Sequence, residues 1–495
     1  MVGQILTRFA SVLLLPLYTH MLLPADYGTM AILDLTAAIF STFLANGMVS
    51  AVTRHHFEGD DARQKDKVWW TGMTMVTAVS TVVCLVMYFG RQTLSDVTLG
   101  PEVTEGAWFY TLTILTMGLT VMGMILDAYI RVIKWSGVFV VISMLRLLLN
   151  IGINVWLLVG KGMGVEGLLI GNLIATCLQT IALGVVFLKT RGKFAIDSKV
   201  GRDMLQFAGP LVFSAIAGML MHELDRFLLR IWSGLDSVGV YSLAHRIGFA
   251  VHTLCLLPFL SIWHVAIYEI ETLPEPKQIF SRVFGWFTAG IGILFLGASL
   301  TVHPILPLLT PENYGDSIDL ISLILLGFFV FALSFMFEVP SLLTKQTKLM
   351  IPGSIVGVLV NVSANIVLIP AMGAWGAAWA GVLTYAAYSA TLLFCCRKAI
   401  VIHYPWTRFA MTVTSLCGAY VFMRYGLFPY IGQWQQLASS VLICACFAAV
   451  MFGREGLQLA LDGMARMKAR RAGNRKNPEG ADEGLQSPET LVTTE

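Results

Sequence analysis

NIGINVWLLVGKGMGVEG (residues 150–167) and NVSANIVLIPAMGAWG (residues 361–376) are two copies of one pattern. In each, two asparagines stand four apart in an apolar run: Asn150 and Asn154, then Asn361 and Asn365. A methionine and glycine (Met163 and Gly164, Met372 and Gly373) then open the next apolar run, and a second glycine follows at Gly167 and Gly376. Nine positions separate Asn154 from Met163 and seven separate Asn365 from Met372, so the second connection is two residues shorter. A weaker echo lies upstream, where Leu22 to Gly28 and Ser233 to Gly239 each join two apolar runs. A helix–loop–helix duplicated in a very apolar chain predicts two homologous membrane lobes, a common build of transporters.

Composition supports a membrane protein. Of 495 residues, 56% are hydrophobic and 13% charged, and the mean hydropathy is +0.74. A span of the bilayer core takes about 20 apolar residues. Uncharged runs of that kind include Val68 to Gly90, Gly106 to Leu126, Leu168 to Leu188, Val283 to Val302 and Ala377 to Cys396. Extending the count predicts an all-α polytopic chain of about fourteen spans. The expected division is a six-span lobe over residues 1–188, a basic linker over 189–203, a second six-span lobe over 204–398, two extra spans over 399–453, and a tail over 454–495 whose end, from Ala472, reads as disordered. An even number of spans per lobe gives both copies the same orientation, with their symmetry axis along the membrane normal. The short loops leave no room for a soluble catalytic domain.

The net charge of +3 is uninformative, but its distribution is not. Lysines and arginines collect in alternate loops: Arg54, Arg63, Lys65 and Lys67; Arg131 and Lys134; Lys189, Arg191, Lys193, Lys199 and Arg202; Lys277 and Arg282; Lys345 and Lys348; Arg397, Lys398 and Arg408. The intervening loops hold Arg91 and Lys161, with Arg230 and Arg424 at borderline positions. The positive-inside rule places both termini in the cytoplasm. The first apolar stretch, Phe9 to Leu23, lacks a small-residue cleavage site, so no cleavable signal is expected and any lead-in is missing or minimal. The eight cysteines lie in apolar runs without a CxxC pair and read as small hydrophobes.

Ionisable residues inside spans are costly and functional by default. Arg146 lies about ten residues into the fifth span, roughly 15 Å deep, near the middle of a ~30 Å core. It reads either as a cavity arginine facing an anionic substrate or as half of an interhelical pair with Asp34 or Asp127. In the seventh span, His222, Glu223, Asp225 and Arg226 interrupt the apolar run, and the spacing places His222, Glu223 and Arg226 on one face. With His245 and Arg246 of the eighth span and Asp34 of the second, they are expected in the outer half of the lobe interface, as substrate contacts or as a salt-bridge gate. Arg8 lines the inner mouth of the first span or snorkels to the surface. Glu338, ahead of Pro340, is a proton or cation site or a partner of Lys345. The paired asparagines read as interhelical hydrogen bonds. The run His55 to Asp61 resembles a metal cluster in composition without ligand spacing, and reads as a solvated loop. There is no phosphate-binding loop or nucleophile elbow, and nothing points to a metal, a cofactor or nucleic acid.

The run Pro16-Leu17-Tyr18-Thr19-His20, with Leu23-Pro24-Ala25-Asp26-Tyr27-Gly28 after it, resembles the opening of bacterial polysaccharide flippases of the Wzx type. So do Leu224-Asp225-Arg226-Phe227-Leu228-Leu229, Val238-Gly239-Val240-Tyr241-Ser242 and the two asparagine and Met-Gly copies. Those flippases belong to the multidrug/oligosaccharidyl-lipid/polysaccharide exporter superfamily. The resemblance covers both lobes and stops at the extra helix pair. It implies a bacterial inner-membrane protein, not an enzyme, that moves a polyprenyl-pyrophosphate-linked oligosaccharide from the cytoplasmic to the periplasmic leaflet by alternating access. Coupling to Na+ or H+, contact with membrane lipids and association with other polysaccharide-assembly proteins are compatible expectations. The arginines fit such a substrate, because guanidinium groups neutralise pyrophosphate with paired, charge-assisted hydrogen bonds. The rivals are a cation-coupled multidrug exporter of the same superfamily, a membrane glycosyltransferase or polymerase, and a non-transporting component of an export complex.

Overall fold

The computed structural model describes residues 15–58, 61–191 and 194–452. Arg8 and the tail over 454–495 lie outside them. Helices fill nearly all of the described residues, and none of these residues is in a strand. Lipid leaves an apolar chain little choice, since each backbone N–H and C=O in the hydrocarbon must be satisfied internally. The first lobe comprises α1 (Leu15–Met21), α2 (Pro24–His56), α3 (Ala62–Phe89), α4 (Gly106–Val132), α5 (Gly137–Gly160) and α6 (Gly164–Thr190). The second comprises α7 (residues 198–233), α8 (residues 235–271), α9 (Pro276–Leu309), α10 (Asp316–Phe337), α11 (Ile351–Met372) and α12 (Ala374–Cys396). Then come α13 (Trp406–Val421) and α14 (Gln433–Phe452), which both pack on α9.

Eleven helical segments among the described residues are long and apolar enough to cross a bilayer. Three places account for the difference from the expected fourteen. Only the last turns of the first expected span, Leu15–Met21, are described. Helices α7 and α8 run on as one hydrogen-bonded segment, Ser198–Glu271, interrupted at Gly234. Helix α13 has 16 residues and gains length from a π-helical turn, Phe422–Leu427. The basic stretch at 189–203 is helical at both ends, because α6 reaches Thr190 and α7 starts after Asp197, whose carboxylate caps it by accepting from the Lys199 amide. The connection is tied to the start of α3 by ion pairs Arg191–Asp66 (2.8 Å) and Lys67–Asp197 (3.0 Å). The Lys67 hydrogen bond holds the Asp197 carboxyl below its usual range.

The duplicated pattern has the same structure twice. Gly164 and Gly373 turn the chain at φ of 55° and 56°, a conformation that a side chain would strain. Gly167 then packs on Leu157, ten residues back, and Gly376 on the carbonyl of Leu368, eight residues back; that difference is the shorter connection. The amide of Asn154 donates to Asn150 Oδ1 (3.2 Å), as that of Asn365 does to Asn361 Oδ1 (3.2 Å). Asn154 also reaches the Tyr18 hydroxyl (3.1 Å), and Asn361 reaches Thr384 Oγ1 (3.3 Å) and the Met221 carbonyl (3.2 Å). The asparagines therefore join helices within each lobe.

The lobes meet where α2 crosses α8. A Cβ at Gly28 would lie 2.1 Å from the Leu235 carbonyl oxygen, and a Cβ at Gly239 would lie 1.9 Å from the Pro24 carbonyl oxygen. The contact is reciprocal, each glycine sitting against the residue four before the other. Around it Leu22, Tyr27, Ile32, Val238 and Tyr241 are buried in a core common to both lobes. On the opposite side of the membrane α7 begins against the first lobe: Met204 and Ala208 belong to its core, and Arg54 lies 4.5 Å from the ring centroid of Phe207.

Gly28→Val or Gly239→Val should part α2 from α8, since overfilling a packed contact costs about 1–3 kcal/mol. The expected result is faster labelling of a cysteine placed at Val238 by a maleimide that does not cross membranes. Labelling at the parent rate would show that this crossing is not the seal.

Candidate functional site

The charges of α7 are held within the second lobe. Arg226 donates through Nη1 to Glu223, one turn earlier on the same helix, and through Nη2 to His245 Nδ1 on α8 (2.8 Å). Asp225 is buried and accepts from the Tyr241 hydroxyl and from the Arg226 amide (2.8 Å). His222 shares a 2.8 Å hydrogen bond with the Tyr385 hydroxyl of α12, so it leaves the Glu223–Arg226 pair that the helical spacing assigns it to. Glu223 and Arg226 sit on one helix, so their pair orients the guanidinium, while the contacts to His245 and Tyr241 fasten α7 to α8; none of these is a bridge between lobes. Such a network is expensive to break, since removing one partner leaves the other charge buried and uncompensated.

One ion pair between the lobes is Arg246 of α8 with Asp34 of α2, at 3.6 Å. Aligning the repeats places Asp34 opposite His245, and the partner is the next residue. The guanidinium also lies 5.3 Å from the Tyr27 ring centroid. Asp34 is ten residues beyond Pro24 and Arg246 eleven beyond Leu235, so both are roughly 15 Å from the starts of their helices. Their side chains are nevertheless 53% and 40% exposed. Charges at that depth are not tolerated by lipid, so the space they face is polar and lies between the lobes. An ion pair this open is worth about 0–1 kcal/mol, and Arg246 can exchange its carboxylate for another anion at little cost.

Three contacts close the space at the end away from the basic loops. Arg230, at the end of α7, donates to the Leu99 carbonyl (Nε, 3.0 Å) and to Glu102 (2.5 Å) in the connection between α3 and α4. The Tyr314 hydroxyl donates to the Leu22 carbonyl (3.1 Å), and Thr19 Oγ1 to the Leu309 carbonyl (3.4 Å). Sequence reasoning did not assign Arg230 and Glu102 to the site. Their signal was there: Arg230 is an exception to the charge alternation, an arginine on the side poor in them.

Arg146 is partly buried between α5 and α6 and donates to Thr176 Oγ1 (3.3 Å). It makes no ion pair with Asp34, Asp127 or any other carboxylate among the described residues. Asp127 keeps a buried, unpartnered Oδ1. Glu338 is 9% exposed at the junction between α10 and the short helix Val339–Leu343, and it does not pair with Lys345. His55 and His56 lie in the last turn of α2 rather than in a loop, and His56 is buried under Trp69, whose Nε1 donates to its Nδ1 (2.9 Å).

A sequence profile described as "Polysaccharide biosynthesis protein" matches residues 1–262. No curated protein sequence matches the chain. Among solved structures, the lipid II flippase MurJ in an inward closed conformation superposes with a TM-score of 0.73 at 14% identity, covering 92% of this chain and 97% of that one. A MATE-family multidrug resistance transporter of the MOP superfamily, inward-facing, gives 0.59 at 14% identity over 82% of this chain and 96% of its own. An outward-facing MATE transporter gives 0.53 at 12% identity, over 83% and 94%. At these identities the likeness is one of fold: the described helices have the arrangement of MOP-superfamily transporters.

The outer contacts should differ in weight. Glu102 is largely exposed, so Glu102→Gln should change outer closure by under about 1 kcal/mol. Arg230→Ala also strips a carbonyl of its charged donor and should cost about 1.5–3 kcal/mol. Hydrogen exchange of the 99–105 connection in the two variants checks the order; equal protection would remove Arg230 from the latch.

Proposed function

Because the chain belongs to the polysaccharide biosynthesis protein family, we propose that it translocates a polyprenyl-pyrophosphate-linked oligosaccharide across the membrane by alternating access. The observation that carries this reading is the half-exposed Asp34–Arg246 pair at mid-depth between the lobes. Pyrophosphate brings concentrated negative charge into a low-dielectric region, and a guanidinium held by a weak, open pair is suited to receive it. Arg146, with a hydroxyl partner and no carboxylate, is a second cation for the same anion. His245 and Arg226 stand behind Arg246 and keep the wall of the second lobe rigid while the charge passes. The outer closure describes the state that loads from the inner side. The glycan occupies the wet space between lobes, and the lipid tail stays in the bilayer.

Movement against a gradient needs coupling, and Na+ or H+ binding at Asp34 or Glu338 fits this scheme: Asp34 titrating or binding a cation would release Arg246 to the substrate. The basic ends of the helices support an inner-membrane placement with both termini in the cytoplasm, where other polysaccharide-assembly proteins would hand over the substrate. A multidrug exporter shares the fold. It is the poorer fit because the carboxylate between the lobes is engaged by Arg246, and a cationic drug asks for an unpaired carboxylate.

Arg246→Ala should abolish translocation of lipid-linked oligosaccharide in proteoliposomes while the protein still inserts and melts normally. Arg246→Lys should recover part of it, because a point charge replaces a bidentate donor. Arg146→Ala should reduce transport tenfold or more. Full transport by Arg246→Ala would remove the anion-receptor role.

A further inference from the structure

The inner ends of α10 and α12 and the connection leading to α13 enclose a hollow of about 240 Å3. Its floor is apolar, with Phe337, Leu393 and Ile402, and its rim carries Arg397, His403 and Trp406. The floor is rigid. The Tyr404 hydroxyl donates to the Met336 carbonyl (3.0 Å), and the Tyr404 ring packs against Phe284 (4.6 Å) and Phe337 (5.5 Å). The rim is cationic and open. Arg397 and His403 on the rim and Lys398 next to Arg397 are exposed, and none makes an ion pair with a carboxylate among the described residues. Arg397 and Lys398 instead lie over the Phe394 ring at 4.5 and 5.5 Å, with that ring facing outward.

We propose that this hollow is a binding site for the headgroup of an anionic phospholipid, its phosphodiester held by Arg397, Lys398 and His403. It lies where spans end, on the side of the basic loops, so headgroups are at the right height. A basic pocket between helices on that side is suited to such lipids. Trp406 adds the aromatic anchor that favours the interface. The apolar floor selects a lipid over a free anion, because soluble phosphate gains nothing from Phe337 or Leu393. The hollow lies beside the extra helix pair and away from the Asp34–Arg246 space, so its occupant need not be the transported molecule. A lipid there would clamp α13 to α10 and α12, a role the two-lobe repeat does not supply.

The test uses the full chain in nanodiscs of phosphatidylcholine with or without phosphatidylglycerol, read by melting temperature and by native mass spectrometry for retained lipid. The expected result is a higher melting temperature and a retained phosphatidylglycerol in the wild type, both lost in Arg397→Gln/Lys398→Gln and both kept in Arg397→Lys. Lys277→Gln, in the first turn of α9, should behave as wild type. An equal response of wild type and the double variant, an equal response to phosphatidylcholine alone, or the same melting shift with inorganic pyrophosphate in detergent would each overturn the proposal.

Discussion

Two helices from different lobes can lie backbone to backbone only if neither carries a side chain at the crossing, and the α2–α8 contact depends on that condition. Gly28 and Gly239 occupy equivalent places in the repeat, and each rests on the carbonyl four residues before the other. A reciprocal contact between equivalent residues places the symmetry axis through the contact itself. The outer closure follows, since Tyr27, Val238 and Tyr241 reach a common core only when the backbones are this close.

Charges are distributed around that axis with less symmetry than the backbone, and their energetics divide them in two. Arg226, with Glu223, His245 and the neighbouring Asp225–Tyr241 pair, is partnered and largely shielded. Breaking such a set strands a charge in a poorly solvated place, so it holds one geometry. Arg246 and Asp34 face open space at a longer separation, where solvent screens the pair and little is lost on separation. The first set is a wall and the second an exchangeable pair, although all of these residues are equally conspicuous as charges in apolar runs.

This difference marks how far the sequence could be read. Local and repeated features were legible: the Met-Gly turns, the asparagine ladders and the i, i+3 contact between Glu223 and Arg226 follow from spacing along one helix. Partners across helices were not. Asp34 meets Arg246 and not the repeat-aligned His245 because rotation about α8, which spacing does not specify to within one residue, decides which side chain faces α2. His222 turns to Tyr385, 163 positions away, a pairing without local trace. Span counting met a related limit: Gly234 turns the chain without ending its hydrogen bonding, and α13 makes up its length with a π-turn. The place of His55 and His56 in a basic stretch without ligand spacing suggests a solvated loop, yet Trp69 in the next helix buries the second of them.

The clearest break in symmetry is inside the lobes. Aligning Asn150 with Asn361 makes Gly357 the counterpart of Arg146. At Gly357 a Cβ would meet the Met221 sulfur at 2.7 Å, so α7 fills the groove of α11. Asn361 and Asn365 beyond it are 3% and 0% exposed. The second lobe is therefore shut along this stripe by an apolar side chain. The first lobe carries a guanidinium at the same place, partly open and hydrogen-bonded to a hydroxyl. One scaffold thus yields a closed stripe in one copy and a cationic one in the other. The difference is a single position where a glycine admits a neighbour and an arginine cannot, and it gives the first lobe a cation at a place where the second lobe has none.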